Sequence, residues 1–274
     1  MPREARVVLR NGLRQIGQLD YAHATVLLHV DSEVELRTRL RSCSREPDTV
    51  AWLEGALRGG DVFYDVGANV GAYSLLAAKI GKPAPRVVAF EPSAVNFAQL
   101  VRNIALNNCQ DRIIPVQVAL AGRTSLETFN YRGLESGQAL HALGGATDQI
   151  GHAFQPGVRV PVLAFRLDDL IPQFALPRPT LMKIDVDGGE LGVLDGATAA
   201  LADPTLRSVL LETDEYGADH RRIVALLEGS GFVVAAKRAI VPDASEALAG
   251  LHNYIFQRSA NSSAVLPGGG PGRR

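Results

Sequence analysis

The fold is decided by the stretch Asp61-Val62-Phe63-Tyr64-Asp65-Val66-Gly67-Ala68-Asn69-Val70-Gly71-Ala72-Tyr73-Ser74. Its apolar run from Val62 to Val66 predicts a short buried strand, and the apolar residues from about Gly71 to Ile80 predict a helix. Small residues form the turn between them. A strand, a glycine turn and a helix in this order bring a ligand against free backbone N–H groups at the helix start. Glycine suits the turn because a Cβ would block that approach or forbid the turn's dihedral angles.

Two acidic residues indicate which ligand this unit binds. Asp65 places a negative charge at the carboxyl end of the strand, where a phosphate-binding loop avoids one. A second predicted strand, Arg86 to Phe90, ends in Glu91, which is placed to accept hydrogen bonds from two ribose hydroxyls. A loop that favours an amine and an acid that favours a ribose suggest S-adenosylmethionine, a cation, rather than a dinucleotide. The alternative is a strand–helix–strand unit that binds no ligand.

Chain length, net charge, apolar runs and cysteine content restrict the kinds of protein that this sequence can encode. With 274 residues and a net charge of -1, the chain is long enough for one α/β domain plus an extension, and its charge gives no case for nucleic acid or an anionic membrane. Its apolar runs are too short for a membrane span, and its N-terminus lacks a signal-peptide pattern. Cys43 and Cys109 show no metal-binding or redox spacing. We therefore predict a cytoplasmic protein with two incidental thiols.

Residues 1–60 are predicted to form an N-terminal extension of a hairpin plus a helix. The alternation of apolar and charged residues from Val34 to Arg41 predicts a half-exposed strand, with Thr25 to Val30 as its hairpin partner. Asp48 to Leu57 predicts a helix in which Trp52 is a core anchor. At the other end of the chain, residues 259–274 are rich in Ser, Gly and Pro and are predicted to be a disordered tail.

Residues 61–258 are predicted to be the main domain, because strands alternate with helices as in a parallel sheet. Residues 121–158 interrupt this pattern with many glycines and little periodicity, which favours a functional loop or lid. The remaining predicted elements are a third strand from Ile114 to Leu120, a strand at Val160 to Leu163, a short helix from Leu167, strands at Leu181 to Val186 and Ser208 to Glu212, a helix from about Glu190 to Leu201, a helix from Asp219 to Glu228, and late antiparallel strands at Phe232 to Lys237 and Tyr254 to Gln257.

Several charged residues cluster around the fourth predicted strand. Lys183 and Asp185 share one face of it, because side chains alternate with a period of two. Asp185 falls at the strand's carboxyl end, where ligands bind in doubly wound sheets. Lys183 lies deeper and needs a partner, for which Glu212 on the next strand is the obvious candidate. That pair is open to a structural or a functional interpretation. Asp187 and Glu190 have the spacing of a helix capping box.

Three motifs together resemble the FkbM family of S-adenosylmethionine-dependent methyltransferases. They are Asp65-Val66-Gly67-Ala68-Asn69-Val70-Gly71, Phe90-Glu91-Pro92, and Lys183-Ile184-Asp185-Val186-Asp187-Gly188 with Glu190. The resemblance implies a Rossmann-like class I fold: a seven-stranded, mostly parallel sheet of order 3-2-1-4-5-7-6, with strand seven antiparallel and helices on both faces. It also implies O-methylation of a sugar, glycan or secondary metabolite. Residues 1–60 and 121–158 match no part of the family that we can assign.

The same resemblance implies which residues bind the cofactor. The methionine end would lie against Asp65, Gly67, Asn69 and Gly71, and the ribose against Glu91. Further contacts are expected from Ala68, Tyr73, Ser74, Pro92, Ser93 and Ala119. Asp185 would face the methyl group.

Methyl transfer to an alcohol requires a base, for which Asp185, His141 and His152 are candidates. The carboxylates of Asp185, Asp187 and Asp214 could hold a divalent cation, but their spacing does not require one, and no metal site is predicted. Two alternatives remain. One is a nicotinamide-dependent oxidoreductase, whose motif has a third glycine in the turn. The other is a non-catalytic scaffold that has the same fold without the activity. The predicted partner is a small-molecule or glycan acceptor.

Overall fold

The structure, a computed structural model, describes residues 15–81, 83–240 and 249–259. Within them, the helices are α1 (Glu33–Arg37), α2 (Ser42–Arg45), α3 (Pro47–Ala56), α4 (Ala72–Ile80), α5 (Ala94–Leu106), α6 (Leu167–Gln173), α7 (Glu190–Asp195), α8 (Thr198–Ala202) and α9 (His220–Gly229), with a 3₁₀ turn at Arg39–Arg41. The strands are β1 (Gln15–Gln18), β2 (Leu27–Val30), β3 (Val62–Val66), β4 (Arg86–Phe90), β5 (Ile113–Val116), β6 (Ala119–Leu120), β7 (Ser125–Tyr131), β8 (Ala142–Leu143), β9 (Val158–Phe165), β10 (Leu181–Ile184), β11 (Ser208–Asp214), β12 (Phe232–Ala239) and β13 (Leu251–Arg258).

A mixed sheet organises the molecule. Seven strands of the described residues form it in the order β12-β13-β11-β10-β3-β4-β5. β13 runs antiparallel to both β11 and β12, whereas β11, β10, β3, β4 and β5 run parallel to one another. Val66 at the end of β3 pairs with Phe90 of β4 and with Ile184 of β10. The turns after these three strands therefore meet at one edge. The predicted Rossmann-like α/β architecture is confirmed.

The central strand β3 is buried along its whole length, and for this reason all of its residues except Asp65 are apolar or aromatic. Its side chains alternate between two cores on opposite faces of the sheet. Tyr64 packs in one core with Met182, and Phe63 packs in the other with Leu181. Helices cover both faces, since α7 contributes to the first core and α4 to the second.

A second sheet corrects the prediction for residues 114–158. The predicted third strand divides at Gln117: β5 stays in the main sheet, and β6 leaves it to pair in parallel with β9. Residues 121–158 are not irregular throughout, because β7 pairs with β9 over its full length and β8 joins its other edge. The predicted helix that ends near Leu201 is divided at Gly196, where a Cβ would lie 2.1 Å from the carbonyl oxygen of Ala121.

The N-terminal extension also differs from the prediction. Glu33–Arg37 is the helix α1, and the predicted strand from Val34 to Arg41 is wrong. Ser32 begins the helix with a capping box: its Oγ accepts from Glu35 N at 3.0 Å, and Glu35 Oε2 accepts from Ser32 N at 3.1 Å. β2 instead pairs with β1. The Ser-x-x-Glu spacing of Ser32 and Glu35 indicates a helix start, but the alternating apolar residues that follow favoured a strand.

Trp52 joins the extension to the main sheet. Its side chain is buried, its ring packs against Phe63 with the ring centroids 6.0 Å apart, and its Nε1 donates to Ser208 Oγ at 2.9 Å. The predicted core anchor is therefore confirmed. Cys43 and Cys109 are buried free thiols. Of the predicted tail, residues 260–274 lie outside the described residues. None of the helices in the described parts of the chain has the length and apolar character needed to cross a bilayer. The cytoplasmic location stays a prediction.

Trp52→Ala tests how strongly the extension is integrated into the core. We expect the free energy of unfolding to fall by about 3–5 kcal/mol, because the substitution empties a buried aromatic site. Trp52→Phe is the matched control. It keeps an aromatic ring at the site and loses the hydrogen bond to Ser208, worth roughly 0.5–1.5 kcal/mol, together with part of the indole volume, so its loss of stability should be smaller than that of Trp52→Ala. Urea unfolding measures both. A loss below about 1 kcal/mol in Trp52→Ala would show that the extension adds little to the core.

Candidate active site

A cavity of about 320 Å³ lies at the carboxyl edge of the parallel strands. The turns after β3, β4 and β10 form its floor, and the segment between β5 and β9 covers it. This is the switch point at which open α/β sheets bind ligands, and the volume is in the usual range for ligand sites, roughly 300–1,000 Å³. Among the predicted site residues, those that line the cavity are Gly67, Asn69, Glu91, Pro92, Ala119, His141 and Asp185.

The other predicted cofactor contacts do not line the cavity. They are Asp65, Ala68, Gly71, Tyr73, Ser74 and Ser93. Asp65 lies beneath the turn after β3, where its Oδ2 accepts from Ser74 Oγ at 2.5 Å. Tyr73 is buried behind it and donates its hydroxyl to Ser42 O at 2.9 Å. These side chains support the turn from below, and Ser93 caps α5 by accepting from Asn96 N.

Packing against neighbouring residues requires glycine at two positions of the turn after β3. Gly67 has φ +84°, and a Cβ on it would lie 1.8 Å from the backbone oxygen of Asp185. Gly71 has φ +89° and begins α4, and a Cβ there would lie 2.4 Å from Leu100 Cδ1. Only glycine fits such positions without displacing packed atoms. The turn after β3 is therefore held directly against the turn after β10.

Glu91 bridges two elements at the cavity floor. Its Oε2 accepts from Asn69 N and its Oε1 from Ser93 N, both at 2.8 Å. Burial raises the pKa of Glu91 to about 7, against the lowering effect of these two hydrogen bonds. Each carboxylate oxygen keeps a lone pair for a further donor. The carboxylate is therefore fixed in place and can still accept two hydroxyl groups.

Asp185 forms an ion pair with Lys183, and the predicted pairing of Lys183 with Glu212 is wrong. The Lys183 Nζ to Asp185 Oδ2 distance is 2.7 Å, and the lysine side chain is buried. Burial alone would lower the pKa of Lys183, but the carboxylates of Asp185, Glu46 and Asp65 raise it above its usual value. Glu46 comes from the extension and was not predicted. Burial raises the pKa of Glu212 well above its ordinary value, with Asp185 acting in the same direction.

Asp187 and Glu190 do not form the predicted capping box. Asp187 has φ +59°, and its Oδ2 accepts from Leu140 N at 2.7 Å. Glu190 does reach back, since its Oε1 accepts from Val186 N and Gly188 N at 3.1 Å each. Burial raises the pKa of both carboxyls to about 7, with the charge of Asp185 adding to the effect. Asp187 lines the cavity and holds the segment that covers it.

His141 lies on the cavity wall beside the rings of Phe129 and Tyr131, with centroids 5.6 and 5.0 Å away. Burial lowers its pKa to about 4, and Arg132 acts in the same direction, so the ring is neutral at pH 7. Its Nδ1 accepts from Arg132 N at 3.3 Å, which assigns the proton to Nε2. His141 can therefore donate a hydrogen bond into the cavity. His152 is exposed, and neither it nor Asp214 lines the cavity.

Residues 133–140, which we call the cover loop, are tied down by side chains around the cavity. Asn69 Nδ2 and Asn96 Nδ2 donate to Gln138 O at 2.9 and 3.0 Å, and Asn96 Oδ1 accepts from Gly137 N at 2.8 Å. Arg39 Nε donates to Gly137 O at 2.8 Å. Arg39, Asn96 and Gln138 line the cavity and were not predicted. Asn96 follows the predicted cap Ser93 by three residues, which could have drawn attention to it.

The residues present fit S-adenosylmethionine. Glu91 offers two acceptor positions for a ribose, and Asp65 Oδ1 is buried without a hydrogen-bond partner among the described residues, directly under the glycine turn. Acidic side chains at the cavity match the positive charges of this cofactor. The described residues contain no group of three His, Cys, Asp or Glu side chains placed to hold a metal ion.

Together, the mixed Rossmann-like sheet and the acid-lined cavity at its switch point are typical of α/β proteins that bind a ligand at the carboxyl edge of the sheet. The comparisons with known proteins narrow the class. Residues 65–234 match the family model described as the methyltransferase FkbM domain, which spans more than half of the chain. The chain belongs to the FkbM methyltransferase family and is an S-adenosylmethionine-dependent methyltransferase.

The sequences of two curated relatives agree with this assignment. The 31-O-demethyl-FK506 methyltransferase FkbM of Streptomyces tacrolimicus is 32% identical over 200 residues, covering 66% of this chain and 76% of the relative. The hexuronic acid methyltransferase AglP of Haloferax volcanii is 26% identical over 194 residues, covering 71% of this chain and 72% of the relative. A solved structure, methyltransferase FkbM from Methylobacillus flagellatus KT, is similar with a TM-score of 0.46 and 15% identity, covering 78% of this chain and 60% of that one.

The buried carboxyl of Asp187 predicts a pH dependence of stability. Its folded pKa of about 7 lies above the ordinary value of 3.8, so the folded state holds its proton more tightly than the unfolded state. Its stabilising contribution is present in full below about pH 4 and is lost as the pH rises through about 7. We expect the loss of stability between pH 5 and 8 to be smaller in Asp187→Asn than in the wild type, by on the order of 2 kcal/mol.

Urea unfolding of the ligand-free protein at the two pH values measures this difference. Asp111→Asn, at an exposed site away from the cavity, is the matched control and should show the wild-type pH dependence. The same pH dependence in the wild type and in Asp187→Asn would show that burial does not perturb this carboxyl.

Proposed function

We propose that this methyltransferase transfers the methyl group to a hydroxyl oxygen of a sugar, a glycan or a secondary metabolite. The observation that carries the proposal is the cavity at which Glu91, the glycine turn and Asp185 meet. The names of the relatives above refer to a hexuronic acid and to 31-O-demethyl-FK506, which supports a hydroxylated small molecule or sugar as acceptor. We also infer a class I methyltransferase sheet. When the seven strands of the main sheet are numbered along the chain, their order in the sheet is 3-2-1-4-5-7-6, and strand seven (β13) is antiparallel to its neighbours.

The chain's residues divide the task of holding the cofactor. Glu91 would accept from the ribose hydroxyls, and Pro92 and Ala119 would lie beside the base. Gly67 and Asn69 would line the methionine end, with Asp65 and Ser74 supporting the turn beneath and Ala68, Gly71, Tyr73 and Ser93 fixing its shape. The cofactor supplies an electrophilic methyl group on a sulfonium. The protein's main contribution is to align the acceptor oxygen with it and to exclude water.

Asp185 is the proposed base. Its Oδ2 is held by Lys183, and its carboxylate lines the cavity, where the other oxygen can accept the acceptor's hydroxyl proton. His141 is less suited to that role because its Nδ1 lone pair is occupied by Arg132 N. Its Nε2 proton suits it to orient the acceptor oxygen or another cavity group by donating a hydrogen bond. Gln138 and Ala139 of the cover loop line the cavity on the side of the second sheet.

Glu91→Ala tests the ribose contact. We expect the mutant to bind S-adenosylhomocysteine about 10- to 100-fold more weakly, because hydrogen bonds to a charged group are worth roughly 1.5–3 kcal/mol. The substitution also frees Asn69 N and Ser93 N, so affinity alone does not separate ribose binding from a loosened turn. The wild type should prefer S-adenosylhomocysteine to its 2′-deoxy analogue in calorimetry, and the mutant should lose the preference. A mutant that keeps it would contradict the assignment. A nicotinamide dinucleotide, tested in parallel, should not bind.

Asp185→Asn and His141→Ala separate the two base candidates. With an accepted substrate in hand, Asp185→Asn should slow turnover by about two or more orders of magnitude while binding S-adenosylhomocysteine within a few-fold of the wild type. His141→Ala should cost less. Thermal unfolding controls for the loss of the ion pair with Lys183. A large loss in His141→Ala alone would make histidine the base, and normal turnover in both would exclude both residues.

A further inference from the structure

Arg39 gives the cavity a cation that the methyl-transfer chemistry described above does not use. It is half-buried, lies in the 3₁₀ turn of the N-terminal extension, and lines the cavity. Among the described residues that line this cavity, it is the only lysine or arginine. The other formally charged lining residues are the acids Glu91, Asp148, Asp185 and Asp187. Burial raises the pKa of Glu91 and of Asp187 and the charge of Arg39 acts to lower it, but no carboxylate among the described residues forms an ion pair with Arg39.

The guanidinium is oriented but not fully used. Arg39 Nε donates to Gly137 O at 2.8 Å, and within the described parts of the chain Nη1 and Nη2 have no hydrogen-bond partner and Arg39 forms no salt bridge. Arg102 and Arg132 differ from Arg39 in forming ion pairs. Arg102 Nη1 pairs with Asp31 Oδ2 at 2.5 Å, and Arg132 Nη2 pairs with Asp148 Oδ2 at 3.0 Å. Two terminal amino groups of Arg39 thus remain as a fork, the geometry that matches a carboxylate.

The position of Arg39 relates it to one end of the proposed cofactor. It binds the carbonyl of Gly137, and Asn69 of the glycine turn binds the carbonyl of the next residue, Gln138. The guanidinium therefore meets the cover loop one residue from the side chain that is assigned to the methionine end. At neutral pH that end carries a carboxylate as well as an ammonium group. The cavity acids suit the cations of the cofactor, and Arg39 suits its anion.

We infer that Arg39 binds a carboxylate in the cavity, namely that of the methionine part of the cofactor. The inference rests on the proposed cofactor site and adds the residue that recognises the amino-acid end. It also gives the N-terminal extension a role in binding. An acceptor that carries a carboxylate is the other possible source of this group. A third role for Arg39 is to hold the cover loop alone.

The test compares two ligands that differ in the carboxylate only. S-adenosylhomocysteine and its decarboxylated form, in which the amine is kept, are titrated calorimetrically into the wild type and Arg39→Gln. We expect the wild type to prefer S-adenosylhomocysteine by about 10- to 100-fold, because a charge-assisted contact is lost with the carboxylate. Arg39→Gln should lose this preference. Arg102→Gln on α5, outside the cavity lining, is the matched control and should keep it.

The possible results are distinct. An equal loss of affinity for both ligands in Arg39→Gln would mean that Arg39 only holds the cover loop, and it would overturn the inference. Equal binding of both ligands by the wild type would also overturn it and leave the cofactor site intact. D-glucuronate and D-glucose, titrated into protein saturated with S-adenosylhomocysteine, then test the acceptor. Selective glucuronate binding that is lost in Arg39→Gln would show that Arg39 binds a carboxylate of the acceptor, and it would overturn the assignment to the cofactor. No binding of S-adenosylhomocysteine to the wild type would contradict the proposed function itself.

Discussion

The contact on which the site depends is the packing of the Gly67 backbone against the carbonyl of Asp185. β3 and β10 are parallel and in register, so their turns leave the sheet side by side. A Cβ on Gly67 would lie 1.8 Å from Asp185 O, which leaves no room for any other residue. Because of this contact, the glycine turn and the acid at the end of β10 share one cavity. A single backbone approach thus couples the cofactor loop to the proposed catalytic carboxylate.

A second constraint is the concentration of acids at this edge. Burial raises the pKa of Glu91, Asp187 and Glu190 to about 7 each, so these carboxyls hold their protons more tightly than exposed carboxyls do. A cationic ligand would favour their charged forms, and this links cofactor binding to the local protonation state. The buried Lys183 offsets part of this negative charge through its ion pair with Asp185, and Arg39 adds a positive charge at the cavity lining.

The sequence was informative where a function requires a particular residue at a particular strand end. β3, β4 and the helix α4 were predicted almost to the residue, because each is a local pattern bounded by glycine or an acid. The second sheet was missed, because the pairing of β7 with β9 joins residues that are far apart in sequence. Arg39 was missed for the same reason. It reaches the cavity only through the placement of the extension, which no local pattern reveals. For Asp187, spacing predicted a helix cap, and the positive φ places the side chain under the cover loop instead.

The cover loop joins these parts into one site, since Asn69, Asn96, Asp187 and Arg39 each bind its backbone. The residues that would surround the cofactor are thus the same ones that hold the cover loop in place. A crystal structure with S-adenosylhomocysteine tests this most directly. We predict the ribose hydroxyls within hydrogen-bond distance of the Glu91 carboxylate and the amino-acid end beside Gly67, beneath residues 133–140. Ribose hydroxyls bound away from Glu91, or a ligand outside this cavity, would contradict the assignment.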